Sequence, residues 1–428
     1  MINHGGYRRL ADYQKRERSM QKILAGMRVV EGSAFVAAPS GGMTLAQLGA
    51  DVIRFDPIGG GIDYRRWPVT SSNQSLYWHS LNKGKRSIAV DFKREEGREL
   101  LTQLITVPGD DAGLFLTNFP AKGWLADESL RQHRQDLIYL NLTGDRHGGS
   151  ALDYTVNCQV GFPQLNQFDD SGGERPLNNP LPAWDVIAGQ QIALGILAAE
   201  RHRRLTGEGQ FIKLALADVA LATVGNLGYI AEATINNQPR EPMGNHIYGT
   251  FGRDFCCRDG HRVMIVGVSP NQWRSIVRAM GIEGAVTSLA ADKGLDFSRE
   301  GDRFKARTAL AALIEPWFAQ RDFADANKLL DEHNVCWGKY QSVNELVDID
   351  PECSEDNPLF STVEQPGIGK YLMPGSPLYF GAVSRETVVA APELGQHTDE
   401  ILLDTLGLSS GEIGRLHDAG IIAGITNN

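Results

Sequence analysis

The sequence predicts an α/β protein, a Rossmann-like large domain with a smaller α+β domain. Three observations lead there. Short apolar runs bounded by turn residues alternate with helical patterns through the first half of the chain. The first run, residues 27–31, is followed by small residues, a helical stretch and a second run at 52–56, the strand–loop–helix–strand opening of a doubly wound sheet. At 428 residues the chain also exceeds one ordinary core.

Composition narrows the function classes. Hydrophobic residues at 42% and charged residues at 22% are those of a soluble globular enzyme. A formal net charge of −10 lacks the dominant basic surface that nucleic acid requires. No apolar run approaches the roughly 18–20 residues of a membrane-spanning helix, so neither nucleic acid nor membrane is expected as a partner. Five cysteines, an odd number without CxxC spacing, indicate neither a disulfide framework nor a zinc site. Reduced thiols in the cytoplasm are the expectation. Residues 1–26 are basic without an apolar core, and Asp12 and Glu17 interrupt any transit-peptide pattern, so they are read as an N-terminal extension.

Taken in order, residues 27–31 form a buried strand, 32–42 a loop of small residues, 43–48 a helix and 52–56 the second strand. Glycine-rich Pro57-Ile-Gly-Gly-Gly-Ile-Asp-Tyr-Arg-Arg-Trp67 either wraps a ligand or is an ordinary loop. Leu81-Asn-Lys-Gly-Lys-Arg-Ser-Ile-Ala-Val-Asp91 is a basic turn entering an alternating strand. A helix is predicted over 94–105 and strands over 112–117 and 137–142. Thr143-Gly-Asp-Arg-His-Gly-Gly149 then lies at a strand's carboxyl end, where α/β proteins bind ligands.

The stretch Leu181-Pro-Ala-Trp-Asp-Val-Ile-Ala-Gly-Gln190 opens a helix with a small-residue face. An aspartate at such a start accepts backbone N–H bonds at the positive end of the helix dipole, so Asp185 reads first as a structural N-cap. A turn at 205–210, a strand at 211–216 and a helix from Ala217 follow. The large domain is assigned to 27–235, a linker to 236–245, the small domain to 246–350, and a C-terminal return to the large domain to 351–428. Within the small domain a strand is predicted over 262–268 and helices over 272–280 and 303–320, and residues 328–333 lead into Val335-Cys-Trp-Gly338. A closing helix spans 410–417.

The passage from Leu181 onward resembles the family III CoA-transferases, and the likeness covers nearly the whole chain from about residue 27. Further marks are Asn82-Lys-Gly-Lys-Arg-Ser-Ile-Ala-Val-Asp91, Asn118-Phe-Pro-Ala-Lys-Gly123 and Leu394-Gly-Gln-His-Thr-Asp-Glu400. The resemblance implies that Asp185 is the nucleophile attacking an acyl-CoA thioester, with the N–H groups of Val36 and Ala37 as oxyanion donors. It implies CoA contacts from Arg54, Val90, Asp91, Lys93, Asn118, Phe119, Lys122, Thr143 and Arg146. Lys122 stands where the family has an arginine a few positions on.

Coenzyme A is then part of the substrate, no cofactor is bound permanently, no metal is expected, and the protein pairs as an interlocked homodimer. Within the family, Val30–Pro39, Arg54–Gly61, Leu181–Asp185 and Gln365–Gly375 resemble members that shift CoA between the two carboxyl groups of one branched unsaturated C4 diacid. The free carboxylate needs a cationic holder, for which Arg65, Arg66, His246 and Arg253 are candidates. An intermolecular transferase and a non-catalytic CoA-binding protein are the rivals. A racemase is disfavoured because Leu152 occupies the position of its histidine, and a serine hydrolase because GxSxG is absent.

Overall fold

A computed structural model describes residues 22–166, 175–238 and 240–425. Most of the extension predicted at 1–26 lies outside these residues. Its last part is tied to the fold: the Leu24 N–H donates to the Leu48 carbonyl at 3.0 Å. The chain divides into two compact units. One holds the described residues up to Val160, Asn179–Thr234 and those from Pro351 onward; the other holds the described part of Gly161–Asn178 and Ile235–Asp350. The described residues among 161–178, a range which the sequence assigns to the large domain, therefore group with the second unit.

Strands β1 (Arg28–Gly32), β2 (Asp51–Asp56), β3 (Arg86–Val90), β4 (Leu114–Thr117), β5 (Ile138–Thr143) and β6 (Phe211–Ala215) are mutually parallel. The second unit contributes β7 (Phe251–Cys256), β8 (Arg262–Gly267) and β9 (Cys336–Lys339), an antiparallel meander. The C-terminal part adds a hairpin of β10 (Phe360–Gln365) and β11 (Gly369–Pro374), not anticipated from sequence, and β12 (Ile422–Ala423). The main sheet runs β12-β3-β2-β1-β4-β5-β6, with β12 antiparallel to β3. Its parallel part has the doubly wound order 3-2-1-4-5-6.

Both faces of this sheet are covered, so its strands are near-continuous apolar runs rather than alternating ones. Val29, Ile53, Phe55, Ile88, Phe115 and Tyr139 are fully buried. Gly32 closes β1 for a steric reason: a Cβ there would lie 2.1 Å from the Phe55 ring. The chain order reverses direction between β1 and β4, and a crevice opens beyond the carboxyl ends of those strands.

Helix α1 (Ala37–Gln47) begins inside the stretch that the sequence predicts as a loop. Two glycines and a proline suggest irregular chain, yet Pro39 falls in the first turn, where its missing N–H has no partner to lose. The glycines are packing sites. A Cβ on Gly41 would lie 2.6 Å from Ile192 Cγ2, and one on Gly189 would lie 2.1 Å from Ser40 Oγ. The small-residue faces thus let α1 cross closely over the helix that carries Asp185.

The second unit packs its helices on the meander around Phe251, Phe255, Trp273, Ile314 and Phe318. The helix predicted from residue 272 starts at Pro270, where Ser269 and Gln272 form a capping box. The one predicted over 303–320 is instead two, Glu300–Lys305 and Arg307–Ala319, separated at Ala306. Among the described residues no helix is long and apolar enough to cross a membrane.

Candidate active site

The crevice beside β1 and β4 holds a cavity of about 350 Å³, lined among others by Phe35, Val36, Ala37, Asn118, Thr143 and Asp185. Four elements build it.

The first is the turn after β1. Phe35 has a left-handed backbone, φ +69°, which costs a residue with a Cβ about 1–2 kcal/mol. The Phe35 N–H donates to Asp63 Oδ2 at 2.9 Å, and a bond to a buried carboxylate contributes about 1.5–3 kcal/mol. That is enough to hold the conformation. Asn118, from the end of β4, grips the neighbouring peptide from both sides: its Oδ1 accepts from the Ala34 N–H at 3.0 Å and its Nδ2 donates to the Ala34 carbonyl at 2.9 Å. The turn delivers the chain into α1, whose ladder starts with the Ser40 N–H donating to the Val36 carbonyl. The Val36 and Ala37 N–H groups precede that ladder and have no acceptor among the described residues. They are free first-turn donors at the positive end of a helix.

Helices α2 (Asp153–Gln159) and α3 (Ala183–Thr206) form the second element. Asp185 sits in the first turn of α3 but is not its cap. Asp153 does that work: its Oδ2 accepts from the Trp184 N–H at 2.7 Å and the Asp185 N–H at 3.1 Å. Trp184 is fixed in turn by its indole N–H donating to Asn157 Oδ1 at 3.2 Å. The structural reading of Asp185 as an N-cap is thereby overturned. Its carboxylate, half-buried on the cavity wall, accepts no hydrogen bond from any described residue. Burial, aided by the Asp153 charge and opposed by Arg66, pushes the Asp185 carboxyl up to about 7.

Arg66 is the third element. Its guanidinium lies 5.4 Å from the Phe35 ring centre and 5.1 Å from that of Tyr77. Of the four cations proposed as carboxylate holders, it is the one whose charge bears on Asp185. Arg65 lines a separate cavity of about 270 Å³ with His79 and Glu393. His246 and Arg253 belong to the second unit, where Arg253 lies 5.0 Å over Phe255 and His246 Nδ1 is buried without a hydrogen-bond partner. Burial, then the charges of Arg253 and Arg307, hold the His246 imidazolium below its usual range.

The fourth element is the glycine-rich turn after β5. Thr143 Oγ1 donates to the Asp145 carbonyl at 2.7 Å, and Asp145 Oδ1 accepts from the N–H groups of His147 and Gly149. A Cβ on Gly144 would lie 2.1 Å from the Ala151 nitrogen, so the turn closes only without one. Thr143 lines the cavity; Arg146 points into solvent, its Nε donating to His147.

A second cavity of about 560 Å³ shares Ala34, Phe119 and Pro120 with the first and is walled by Phe92, Trp124 and Ile62, with Lys122 at its edge. Gly60 and Gly61 form part of it, which places the glycine-rich segment at a ligand-sized space. Several expected CoA contacts face elsewhere. The Val90 side chain is buried in the core, Asp91 accepts from the Lys93 N–H in a turn, and neither Asp91 nor Lys93 reaches a cavity wall; Phe92 does.

Arg54 is a further correction. It is 1% exposed and all its donors point inward: to Asp56 at 2.8 and 3.0 Å, to the Ser33 carbonyl at 2.9 Å and to Asp63 at 3.4 Å. Burial works against its charge, but Asp56, Asp63 and Glu31 outweigh it and hold the guanidinium protonated. A cation so enclosed braces the turn and has no donor left for a phosphate. The sequence singles out neither Asp153, Asp63 nor Tyr77. Asp153 follows the Leu152 that stands in place of a racemase histidine, and an aspartate just before an amphipathic run is its available signal.

Known proteins place this geometry. The profile of CoA-transferase family III matches residues 24–398. The 2-methylfumaryl-CoA isomerase of Chloroflexus aurantiacus is 60% identical over 408 residues, covering 95% of this chain and 99% of its own. The succinyl-CoA:mesaconate CoA-transferase of Haloarcula hispanica is 28% identical, covering 91% and 97%. A CAIB/BAIF family protein from Brucella suis superposes with a TM-score of 0.73 at 26% identity, over 90% of this chain and 100% of its own. By profile, by sequence over nearly its full length and by fold, the chain belongs to CoA-transferase family III.

Proposed function

We propose that the protein is a 2-methylfumaryl-CoA isomerase that moves CoA between the two carboxyl groups of its substrate through an aspartyl-CoA thioester on Asp185. The observation that carries this reading is the unbonded Asp185 carboxylate sharing a cavity with the free N–H groups of Val36 and Ala37. The substrate rests on the 60% identity to the Chloroflexus enzyme, against 28% to the Haloarcula transferase.

An Asp185 oxygen attacks the thioester carbonyl, and the C–S bond breaks with its electron pair leaving on the CoA thiolate. The product is a mixed anhydride. The thiolate attacks the Asp185 carbonyl carbon, expelling the diacid carboxylate and leaving an aspartyl-CoA thioester. The other carboxylate of the same diacid then attacks that thioester, forming a new anhydride, and the returning thiolate takes the acyl group and frees Asp185. No proton or water is consumed. Each tetrahedral oxyanion requires fixed donors, which the first turn of α1 supplies.

CoA is the only cofactor in this scheme and enters as part of the substrate. Its adenine suits the aromatic cavity of Phe92, Phe119 and Trp124, with Lys122 for a phosphate, while Asn118 and Thr143 border the pantetheine end. Arg66 is assigned to the free carboxylate.

The test is turnover of 2-methylfumaryl-CoA in a large excess of isotopically labelled free 2-methylfumarate. Isomerisation without label entering the CoA ester is expected. Label incorporation at the rate of isomerisation would establish the intermolecular rival instead.

We further propose a homodimer, interlocked as in the family resemblance. Leu194, Leu221 and Leu227, 59%, 48% and 62% exposed, leave apolar surface on the helices of the first unit, as an interface requires. Light scattering should give twice the chain mass at micromolar concentration; a monomer would reject the pairing.

A further inference from the structure

We propose that Asp63 is a positioning residue for the reaction: by holding the Phe35 N–H it fixes the left-handed turn that presents the Val36 and Ala37 donors to the substrate carbonyl. The proposal rests on the mechanism given above, in which those two N–H groups stabilise the oxyanion.

The chain of support can be followed atom by atom. Arg54 is clamped by Asp56 through Nε at 2.8 Å and Nη2 at 3.0 Å. The same Nη2 reaches the Ser33 carbonyl at 2.9 Å and Asp63 Oδ1 at 3.4 Å. Asp63 Oδ2 then accepts from the Phe35 N–H at 2.9 Å. Asp56, Arg54 and Asp63 are each 1% exposed, so the relay is sealed from water and its charges are little screened. Behind it, Lys85 holds Glu31 at 2.8 Å, and Glu31 accepts from Ser33 Oγ at 2.7 Å. Every residue of the turn from Ser33 to Phe35 is thus gripped by a side chain, while the next two N–H groups are left open.

A structural role alone leaves one fact unexplained. The residue that the carboxylate holds is a phenylalanine at φ +69°, a conformation a glycine adopts without strain. Phe35 stands there with its ring beneath the Arg66 guanidinium, 5.4 Å away. Its side chain seats the cation assigned to the free carboxylate, and Asp63 supplies the restraint that its backbone then needs. Gly61 leaves room for the arrangement: a Cβ on it would lie 3.2 Å from Asp56 Oδ1 and 3.3 Å from Asp63 Oδ1.

The experiment is a cycle of Asp63→Ala, Phe35→Gly and the double variant, assayed with 2-methylfumaryl-CoA. Asp63→Ala should lower kcat about 10–100-fold with KM changed less than about threefold, the loss of a transition-state donor being worth up to about 10²–10³ in kcat. Phe35→Gly also removes the ring beneath Arg66, so the coupling is read: in the Phe35→Gly background Asp63→Ala should cost at least about fivefold less kcat than in the parent, because glycine occupies the left-handed turn unaided. If Asp63→Ala does not fold, Asp63→Val, which fills more of the space and still has no acceptor for the Phe35 N–H, takes its place in the cycle, and an unfolding temperature is recorded for every variant. A kcat within about twofold of the parent in the folded Asp63 variant, or an equal loss from the Asp63 change in the parent and Phe35→Gly backgrounds, would overturn the proposal. Hydroxylamine trapping of acylated Asp185 in the parent enzyme separates the two levels. A trapped adduct with an unaffected Asp63 variant rejects the positioning role alone, whereas no adduct in the parent rejects the mechanism beneath it.

Discussion

Asp185→Asn is expected to lower kcat by at least about three orders of magnitude, the loss typical when a covalent nucleophile is removed, while the CoA ester still binds. The same substitution should stabilise the unliganded fold near pH 8. A carboxyl whose folded pKa stands above its unfolded value near 3.9 favours the folded state only at acid pH. That contribution is full below the unfolded value and is lost as pH rises through the folded value of about 7. At pH 8 the ionised, half-buried carboxylate therefore costs roughly 1–3 kcal/mol, which the amide removes. The melting temperature of Asp185→Asn should exceed that of the parent at pH 8, and the gap should close toward pH 4. Helix α3 should survive the change, since its cap comes from Asp153. Isomerisation surviving in the amide variant would remove Asp185 from the mechanism, whatever the thermal data.

The second large effect is on pH. In the proposed mechanism the attacking group is the Asp185 carboxylate, so kcat/KM, which reports the free enzyme, should fall about tenfold per unit below pH 7 and level off above it. Between pH 7 and 5 the expected loss is of the order of 50–100-fold. The groups that set the midpoint are distinguishable. Burial and the Asp153 charge raise the Asp185 value and Arg66 lowers it, so Arg66→Gln should move the midpoint to higher pH. A profile flat from pH 5 to 8, or a midpoint unmoved in the Arg66 variant, would show that Asp185 is not the group being titrated.

Much of this site was legible in the chain before any coordinates. Asp185, the small-residue stretch after β1, the Asn118-Phe119 pair and the turn at Thr143 all sit where the sequence placed them relative to the strands, and the cavity brings them together. Strand and ligand-loop signals are local, so they are readable. The misreadings share a cause, which is that each depends on a partner distant in sequence. Gly41 reads as loop because the helix that crosses it lies about 150 residues away. Arg54 stands among the CoA contacts that the resemblance implies; that it is sealed by Asp56 and Asp63 is a fact of packing. Asp185 reads as a cap because nothing local reveals that Asp153, 32 residues earlier, already fills the post.

That last division of labour has a consequence for how such a protein changes over time. Where one side chain both starts a helix and performs chemistry, losing the chemistry frays the scaffold. Under the proposed mechanism the two duties fall on separate helices, so position 185 is free to drift without unravelling its own backbone. If Asp185 is the nucleophile proposed above, a descendant that binds the thioester but no longer turns it over, a sensor rather than a catalyst, stands a single substitution away.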